Sequence, residues 1–301
     1  MTETTPLVSI LLITMNHADF IEQACKSAIG QTWPNIEIIF LDNFSSDETY
    51  EKGSSILRSS EVKFALMRNR ESFGVASNLN RMVAEASGDY VAILSGDDWW
   101  ADNLIEEKVK FIRANSCDFV MSDGYKFIQE NGFTVPAYDE KEKQKIIASM
   151  PAFFHENVTG NRTVNVGTFI SRKLLTDHPF DEDINTEDWD MNLRMTNLGY
   201  KPGFLDKKLF YYRVLATSLS RKWKVMQDSY EKVTAKYLDY ILNDPKLRKE
   251  YLLNKLHFKY EILLEESQTE TERKSLQREW KREKYRLKYR QPLLFFKLLT
   301  V

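Results

Sequence analysis

The sequence predicts an α/β fold in which a mostly parallel sheet is flanked by helices and followed by a C-terminal helical region. Three observations carry this prediction. In the first hundred residues, short apolar runs alternate with segments whose apolar residues recur at helical spacing. Three of the predicted strands end in polar clusters, which is where ligands bind in such sheets. From about Ser218 onwards, the chain becomes a series of charged helical segments.

The first element is the run VSILLIT at residues 8–14, whose continuous apolar character is typical of a strand buried on both faces. The same reasoning predicts further strands at 36–41, 62–67 and 90–94. Between these strands, apolar residues at helical spacing predict helices at 18–31, 45–57 and 74–86. A β-α-β-α-β-α-β series with short connections indicates a Rossmann-like parallel sheet covered by helices.

The second half of this sheet region is less regular. After a helix at 102–114, two short strands are predicted at 118–122 and 125–128, with Asp123-Gly124 between them as a turn signal. Residues 129–165 are polar and irregular except for a helix near 140–150, and so long a connection is usually a functional loop. The remaining pattern predicts a strand at 166–171, a helix at 187–198 and a strand at 208–214.

The chain beyond residue 221 shows helical patterns only. Apolar residues from Met226 to Ile241 form a helical stripe, which Asp244-Pro245 interrupts because proline cannot continue a helix. Two more helical segments, rich in charge, follow at 251–264 and 276–289. We therefore predict a sheet domain over residues 1–221 and a helical region over residues 222–301.

The bulk composition narrows the classes of function. A formal net charge of -2 over 301 residues gives no electrostatic reason to expect nucleic-acid binding. Cys25 and Cys117 lack metal-ligand spacing and are read as small core residues. The start MTETTPLVSI is polar and acidic, unlike a signal peptide, and no run approaches the roughly 18 apolar residues of a membrane span. The expectation is a cytoplasmic protein.

Polar clusters follow three strands that the fold places at one edge of the sheet. They are Thr14 to His17, Asp42 to Asp47 and Ser95 to Asp98. Adjacent carboxylates such as Asp97 and Asp98 repel each other unless a cation or hydrogen bonds compensate. Their hard oxygen atoms suit Mg²⁺ or Mn²⁺ with bound phosphates. The simpler alternative is that each aspartate caps a helix or shapes a turn.

These segments together resemble the family-2 glycosyltransferases, which have the GT-A fold. The resemblance rests on VSILLITMNHADFIEQACKSAIGQTWPNIEIIFLDNFSSDET, on RNRESFGVASNLNRMVAEASGDYVAIL, on SGDDWW at the Asp-x-Asp position, and on TEDWDMNLRM at 186–195. It covers roughly residues 7–221. It implies a nucleotide-binding half at 1–105, an acceptor half at 106–221, and a role in bacterial surface-polysaccharide assembly.

The resemblance also implies roles on the nucleotide side. Asp42 would hydrogen-bond the base of the donor, with Thr14, Asn16 and Gly74 lining the pocket. Other residues implied in nucleotide binding are Asn43, Ser45, Asn78, Ser95 and Gly96. Asp97 would bind a divalent metal, Mn²⁺ or Mg²⁺, with Asp98 in support, so that the metal stabilises charge on the departing diphosphate.

On the acceptor side, the resemblance implies that Asp188 is the general base, flanked by Glu187 and Asp190. The base would remove a proton from an acceptor hydroxyl as it attacks the sugar carbon, and this single displacement inverts the anomeric centre. On a helix, Glu187 and Asp190 share one face while Asp188 points elsewhere. The alternative is an acidic first helical turn that merely complements the helix dipole. The expected donor is a UDP-sugar, and the expected acceptor is a glycan or a lipid-linked sugar.

Two departures from the family pattern stand out. Ser95 occupies the place of the first aspartate of Asp-x-Asp, which puts metal dependence in question. The family's Tyr-Arg-x-His reads Tyr-Arg-Val-Leu at 212–215, so a late histidine is missing, and Arg213, Arg221 or Lys222 would contact the diphosphate instead. The alternative for these cations is a solvated basic turn. Trp99 and Trp100 are candidates either for a wall against a sugar or for core packing.

The segment 278–301 is basic and ends in apolar residues, a composition that suits the surface of an anionic membrane. Its alternatives are a helical hairpin that packs on the sheet domain, or a homodimer contact. Two other classes of function stay open. One is a sugar-phosphate nucleotidyltransferase, although the turn ITMNHADF lacks the Gly-rich basic loop expected there. The other is a non-catalytic protein that binds sugar nucleotides.

Overall fold

The computed structural model describes residues 5–216, 218 and 221–289. The chain divides into two compact units. The first consists of Met1–Phe153, Thr163–Asp183 and Glu187–Ala216, and the second of Phe154–Arg162, Ile184–Thr186 and Thr217–Val301. Whether residues 1–221 fold as an independent domain stays a prediction, which truncation would test.

The first unit alternates strands and helices through its first hundred residues, as predicted. Its strands there are β1 (Val8–Thr14), β2 (Ile36–Asp42), β3 (Lys63–Arg68), β4 (Tyr90–Ser95) and β5 (Trp99–Trp100). Its helices there are α1 (Ile21–Ile29), α2 (Thr49–Arg58) and α3 (Val75–Glu85). Of these elements, the two-residue strand β5 was not predicted, because two residues show no period.

The rest of the chain down to residue 214 mixes strands and short helices. In order it contains α4 (Leu104–Asn115), β6 (Phe119–Ile128), β7 (Phe133–Pro136), α5 (Glu140–Ser149), a 3₁₀ turn (Met150–Ala152), α6 (Phe153–Asn157), β8 (Phe169–Ser171), α7 (Arg172–Asp177), α8 (Glu187–Asn197) and β9 (Pro202–Val214). The strands β6 and β9 are longer than predicted, and β7, α6 and α7 were not predicted.

The nine strands of the described chain form one sheet in the order β3-β2-β1-β4-β8-β6-β9-β5, with β7 paired to β6. The first four strands run parallel, and their register aligns Thr14 with Asp42 and Ile13 with Ser95. The polar clusters after β1, β2 and β4 therefore share one edge. The prediction of a parallel sheet holds for this half, whereas β8, β5 and β7 are antiparallel to their neighbours.

The core explains why these segments form these elements. Ile10, Leu11 and Leu12 of β1 are fully buried, since helices cover both faces of a central parallel strand. The helices α1 and α3 bury one apolar face each, led by Ile21 and Leu79. This packing holds the carboxyl ends of the strands in fixed register.

The predicted turn at Asp123-Gly124 is wrong. The chain does not reverse there, because β6 runs through both residues and pairs with β9 on either side of a bulge at Ser122 to Gly124. The bulge needs glycine because a Cβ at Gly124 would overlap the ring of Phe210. The glycine of this dipeptide thus marks a close approach between β6 and β9 and not a reversal of the chain.

Strand β8 brings a distant part of the chain to the ligand edge. Because β8 is antiparallel to β4, the residues just before it lie beside the carboxyl end of β4, where the amide of Ile93 donates to the carbonyl of Thr168. The buried amine of Lys108 on α4 supports this crossing by donating to the carbonyl of Gly167. Burial lowers the pKa of Lys108 to about 7.

The second unit is mainly helical. Its C-terminal part contains α9 (Trp223–Ala235), α10 (Leu238–Asn243), α11 (Pro245–Glu266) and α12 (Glu270–Tyr289). The predicted break at Asp244-Pro245 is confirmed, since the Asp244 carboxylate accepts from the amides of Lys246 and Leu247 and begins α11. Among the described residues, no helix is both long enough and apolar enough to cross a bilayer.

Candidate active site

The candidate site lies at the carboxyl ends of β1, β2 and β4, where the backbone segments approach closely. The amide of Asn43 donates to the carbonyl of Thr14 at 2.8 Å, and that of Gly96 to Ile13 at 2.8 Å. A Cβ at Gly96 would overlap the Thr14 side chain, so glycine is required for this approach. Thr14, Gly96 and Asn43, all predicted from sequence, are thus brought together.

Asp42 is fully buried and organises the loop that follows β2. Its carboxylate accepts from the hydroxyl and the amide of Ser45, and the Arg68 guanidinium lies 3.6 Å away. Ser45 in turn accepts from the amide of Asn16 at 2.9 Å. These contacts fit the turn-shaping alternative, while contact between Asp42 and a base stays a prediction.

Two residues of these loops adopt left-handed backbone conformations. Asn16 has φ 55° and Phe44 has φ 64°. Asparagine tolerates this region, but an aromatic residue rarely occupies it, and such strain clusters at ligand sites. The Asn16 carboxamide accepts from the amide of Ser46 at 2.9 Å, which holds the two loops against each other.

A buried carboxamide network fixes the segment before α3. Asn69 donates to the carboxamide oxygens of Asn43 and Asn78, at 2.9 and 2.7 Å. Asn43 also bonds both the amide and the carbonyl of Phe73, at 2.9 Å each. Gly74 follows as the extended residue before α3. The predicted residues Asn43, Asn78 and Gly74 therefore all shape the loop before α3. Asn69, which belongs to the quoted family segment but was given no role in the site, lies at the centre of the network.

Three exposed apolar side chains rim this loop cluster. Met15, Phe44 and Phe73 are 39%, 52% and 41% exposed, each in a loop after a different strand. Exposed large apolar side chains grouped at a ligand edge are typical of a binding surface. These three side chains were not predicted as site residues, because an apolar residue beside a strand is normally assigned to the core.

Asp97 and Asp98 differ sharply in their surroundings. The Asp97 side chain is 16% exposed and accepts from the Ser95 hydroxyl at 2.5 Å, with His17 Nε2 3.9 Å away. Asp98 is 4% exposed and turns inward, where it accepts from the amide of Arg213 at 2.7 Å. Burial, together with the charge of Asp97, raises the pKa of Asp98 well above its ordinary value.

The donor set fits a divalent cation that shares a diphosphate. Asp97 supplies an accessible carboxylate, and the Thr14 hydroxyl and His17 Nδ1 beside Gly96 are buried without a hydrogen-bond partner. The described residues hold no cluster of three or more metal-binding side chains, so a cation would take its remaining ligands from phosphate and water. Mg²⁺ and Mn²⁺ sites with one or two carboxylates have this composition.

Arg213 does not serve the diphosphate as the sequence suggested. It is 5% exposed, and its three guanidinium nitrogens donate to the carbonyl of Asp97 and to the side chains of Gln129 and Gln23. A side chain so enclosed cannot reach a bound ligand. Of the other proposed cations, Arg221 and Lys222 are exposed, and a contact with phosphate stays a prediction.

Asp188 lies in the first turn of α8 and is half-buried. Its carboxylate accepts from the Asn165 side chain at 2.8 Å and from the amide of Trp189 at 2.6 Å. Asn165 stands just before β8, whose start lies at the carboxyl end of β4, so it carries Asp188 to the same sheet edge as Asp97. Asn165 was not predicted as a site residue, although it closes the irregular segment 129–165 that was predicted to be a functional loop.

The neighbours of Asp188 play different parts. Asp190 is fully buried and pairs with Arg194 at 2.7 Å, which leaves it poorly placed to take a proton from a substrate. Burial, together with the charge of Asp188, raises the pKa of Glu187 above its ordinary value. Asp188 is therefore the best-placed base of the three, although its role stays a prediction.

The two tryptophans after Asp98, for which core packing or contact with a sugar was expected, lie in different surroundings. Trp100 is 2% exposed and packs near Gly167 in the core. Trp99 is half-buried, but Tyr211 stacks on it at 4.8 Å between ring centroids and the Arg213 guanidinium lies 4.7 Å from its own centroid. Protein groups thus cover the Trp99 ring, which argues against Trp99 as a platform for a sugar.

Comparison with known proteins places this geometry in a family. The family described as "Glycosyl transferase family 2" matches residues 9–175, more than half of the chain. The putative teichuronic acid biosynthesis glycosyltransferase TuaG of Bacillus subtilis is 25% identical over 232 residues, which cover 76% of this chain and 88% of TuaG. The Escherichia coli enzyme WfaP, named as a UDP-Glc:alpha-D-GlcNAc-diphosphoundecaprenol beta-1,3-glucosyltransferase, is 27% identical over 71% of this chain and 80% of its own.

Solved structures agree on the fold. TarS of S. aureus in complex with UDP superposes with a TM-score of 0.55 at 16% identity, covering 86% of this chain and 81% of that chain. The mannosyltransferase PcManGT of Pyrobaculum calidifontis, in complex with GDP-Man and Mn²⁺, gives a TM-score of 0.59 at 16% identity, with 95% and 71% covered. The chain thus belongs to glycosyl transferase family 2 and is a glycosyltransferase with the GT-A fold.

Proposed function

We propose that this enzyme is an inverting glycosyltransferase that moves a sugar from a UDP-sugar to an acceptor hydroxyl. One observation carries the proposal. The accessible carboxylate of Asp97 and the Asn165-held carboxylate of Asp188 stand at the same edge of the sheet. The diphosphate of the donor can thus face the cation-binding carboxylate of Asp97, while the acceptor hydroxyl faces Asp188, the proposed base.

In the proposed reaction, Asp188 takes the proton of the acceptor hydroxyl. The acceptor oxygen forms its bond to the anomeric carbon while the bond from that carbon to the diphosphate oxygen breaks, which inverts the configuration. The electron pair of the broken bond leaves with the nucleoside diphosphate. Mn²⁺ or Mg²⁺, when held by Asp97 with Asp98 in support, supplies positive charge for that leaving group.

The nucleotide contacts follow from the loops after β1, β2 and β3. The rim of Met15, Phe44 and Phe73 supplies apolar surface for a flat base, and Thr14, Asn16 and Ser45 supply polar atoms for the base and ribose. Uridine is the proposed nucleoside because WfaP is named for UDP-Glc and TarS was solved with UDP-GlcNAc. PcManGT, solved with GDP-Man, makes guanosine the competitor to exclude.

The proposed acceptor is a sugar in the assembly of a bacterial surface polysaccharide. TuaG is named for teichuronic acid biosynthesis, and WfaP for a diphosphoundecaprenol acceptor, which is lipid-linked. By this analogy the acceptor is a lipid-linked sugar, whose hydroxyl is deprotonated by Asp188. The cytoplasmic location and the homodimer alternative stay predictions.

A membrane contact is proposed for the basic helix α12. Its inward residues Leu276, Trp280 and Leu287 are half-buried or buried, whereas most of its cations are exposed. In the described chain, Lys274 is the only cation of this helix with an ion-pair partner, Glu270, and the cations without one include Arg278, Lys281, Arg282 and Arg286. Unpaired cations on one helix suit anionic lipid headgroups. The apolar residues 293–299 of the predicted membrane segment lie outside the described part of the chain.

Two experiments test this function. Nucleotide release from UDP-sugars and GDP-sugars is measured with Mn²⁺, Mg²⁺ or EDTA, in the presence of extracted lipid-linked acceptors, and the anomeric configuration of the product is read by NMR. Release of GDP rather than UDP would refute the donor assignment. Binding of UDP-sugars without turnover by any preparation would favour the non-catalytic alternative.

For the membrane contact, cosedimentation with vesicles of phosphatidylcholine alone and with added phosphatidylglycerol is compared between the wild type and a variant in which Arg278, Lys281, Arg282 and Arg286 become glutamate. We expect loss of binding to the anionic vesicles only, with nucleotide-sugar hydrolysis retained. Equal sedimentation of both proteins would refute the contact.

A further inference from the structure

Arg213 ties together parts of the chain that are far apart in sequence. Its Nε donates to the carbonyl of Asp97 at 2.8 Å, Nη1 to Gln129 Oε1 at 2.6 Å and Nη2 to Gln23 Oε1 at 2.7 Å. Its backbone amide donates to the Asp98 carboxylate at 2.7 Å. Gln23 lies on α1 and Gln129 just beyond β6, so one residue joins the Asp97–Asp98 turn to both elements.

The guanidinium is also enclosed by aromatic rings. Its central carbon lies 4.5 Å from the ring centroid of Phe20, 4.7 Å from that of Trp99 and 5.1 Å from that of Phe127. Ring faces attract a cation and restrict its motion. The orientation of Arg213 is therefore set on all sides by groups of the protein.

The Asp97–Asp98 turn needs such support. Two adjacent carboxylates repel each other, and no acidic partner neutralises Arg213 by direct side-chain pairing among its described contacts. The guanidinium charge therefore stands beside the turn and offsets part of this repulsion, while Nε holds the Asp97 carbonyl. The accessible Asp97 carboxylate is left to face the ligand edge.

We propose that Arg213 is a positioning residue that holds the Asp97–Asp98 turn against α1, so that Asp97 meets a divalent cation in a fixed orientation. This inference rests on the proposed function, in which Asp97 holds the cation. Helix α1 follows directly on the Asn16–His17 loop, so the same contact fixes the turn relative to the nucleotide side of the site. Lysine cannot replace this residue, because one ammonium lacks three nitrogens in a planar fork.

The test measures cation affinity directly. Free Mn²⁺ is followed by electron paramagnetic resonance in titrations with and without UDP, for the wild type, Arg213→Lys and Gln129→Leu. We expect Arg213→Lys to bind Mn²⁺ about tenfold more weakly, in the range seen when groups that orient metal ligands are removed. Gln129→Leu, which leaves Arg213 in place but removes one anchor, is expected to lose less. UDP affinity without metal is expected to stay within twofold for both.

The control is Arg172→Lys, because Arg172 donates through Nε to the carbonyl of Gly88 at 2.7 Å, next to the amino end of β4. Like Arg213→Lys, this variant loses a hydrogen bond from Nε to a backbone carbonyl, but at the amino end of β4 instead of its carboxyl end. Its Mn²⁺ affinity is expected to match that of the wild type. Folded Arg213→Lys with wild-type Mn²⁺ affinity overturns the positioning role alone. A wild type that binds no Mn²⁺ with UDP overturns the metal assignment as well. Thermal melts confirm folding. If Arg213→Lys does not fold, a Gln129→Leu variant that binds Mn²⁺ with wild-type affinity overturns the positioning role.

Discussion

The pairs Asp97–Asp98 and Glu187–Asp188 place adjacent carboxylates at one sheet edge by different means. In the first, the accessible Asp97 is held by Ser95 and the buried Asp98 by the Arg213 amide. In the second, Asp188 is held by Asn165, and the raised pKa of its neighbour Glu187 comes from burial and from Asp188 itself. Each pair thus holds one carboxylate in place by hydrogen bonds, while burial and the neighbouring charge raise the pKa of the other.

The difference lies in what stands beside each pair. The Asp97–Asp98 turn has an enclosed guanidinium beside it, and the Asp188 carboxylate accepts from the Asn165 side chain and from the amide of Trp189. A carboxylate that binds a cation, as proposed for Asp97, needs a fixed position, which a rigid turn provides. A carboxylate that accepts a proton, as proposed for Asp188, needs hydrogen bonds that orient it towards the substrate. Substitutions in the first pair are therefore expected to weaken cation binding, and substitutions in the second to lower the rate of sugar transfer.

The largest expected effect is on the base. Asp188→Asn is expected to lower kcat by about 10³-fold, within the range for loss of a general base, and to leave the KM for the donor unchanged. Steady-state rates of UDP release measure this. Glu187→Gln is the matched control and is expected to lose less than about tenfold, because Glu187 does not take the substrate proton. If Asp188→Asn keeps a tenth of wild-type kcat, another residue is the base.

The next effect separates the two members of the metal pair. Asp97→Asn is expected to weaken Mn²⁺ binding in the presence of UDP by about 100-fold, the upper range for lost metal-site groups, and Asp98→Asn by about tenfold or less. The reason is that Asp97 is accessible while Asp98 faces the Arg213 amide. Calorimetric titration with Mn²⁺ measures both. The opposite ranking would show that the turn rearranges on binding.

A smaller effect concerns stability and pH. The pKa of Asp98 is raised by burial, so between its unfolded value near 3.8 and its folded value the folded state binds more protons. Stability therefore falls as pH rises through this window. Asp98→Asn removes this loss and is expected to raise the Tm of the metal-free protein at pH 7 by about 2–4 °C, equivalent to about 1 kcal/mol.

The same substitution offers its own controls. The gain in Tm is expected to shrink as the pH falls towards 4, where Asp98 is protonated in the folded state and begins to be protonated in the unfolded state. Mn²⁺ with UDP is expected to stabilise the wild type more than the variant. Asp97→Asn, at an accessible carboxylate, is expected to show a smaller gain at pH 7. Thermal melts from pH 4 to 8 measure all three. A pH-independent gain for Asp98→Asn would mean that packing, not titration, is responsible.

The smallest effect is that of Ser95, the departure from Asp-x-Asp. Its hydroxyl donates to Asp97 at 2.5 Å, so it orients the carboxylate instead of supplying one. Ser95→Ala is expected to weaken Mn²⁺ binding by about fivefold, the loss of about 1 kcal/mol for one hydrogen bond. Binding of Mn²⁺ at wild-type strength by Ser95→Ala would assign the orientation of Asp97 to Arg213 alone.

The sequence predicted the first half of the molecule well. Strands at 8–14, 36–41, 62–67 and 90–94 lie within one residue of the observed strands, because a fully buried strand shows as an unbroken apolar run. The second half was predicted less well. Asp123-Gly124 was taken for a turn, since a local dipeptide cannot distinguish a chain reversal from a bulge, and here Asp123 pairs with Lys208 of β9, far along the chain.

By itself, the sequence determined the order of the first four strands and the helices between them, the strand ends that carry polar groups, and the family, because local periodicity and short motifs indicate each of these. The tertiary structure decided which carboxylate of each pair is accessible and which groups hold it. Arg213 lies 116 residues from Asp97 and 190 from Gln23, and Asn165 lies 23 residues from Asp188. Such contacts leave no local pattern, because they exist only once the packed sheet brings the segments together.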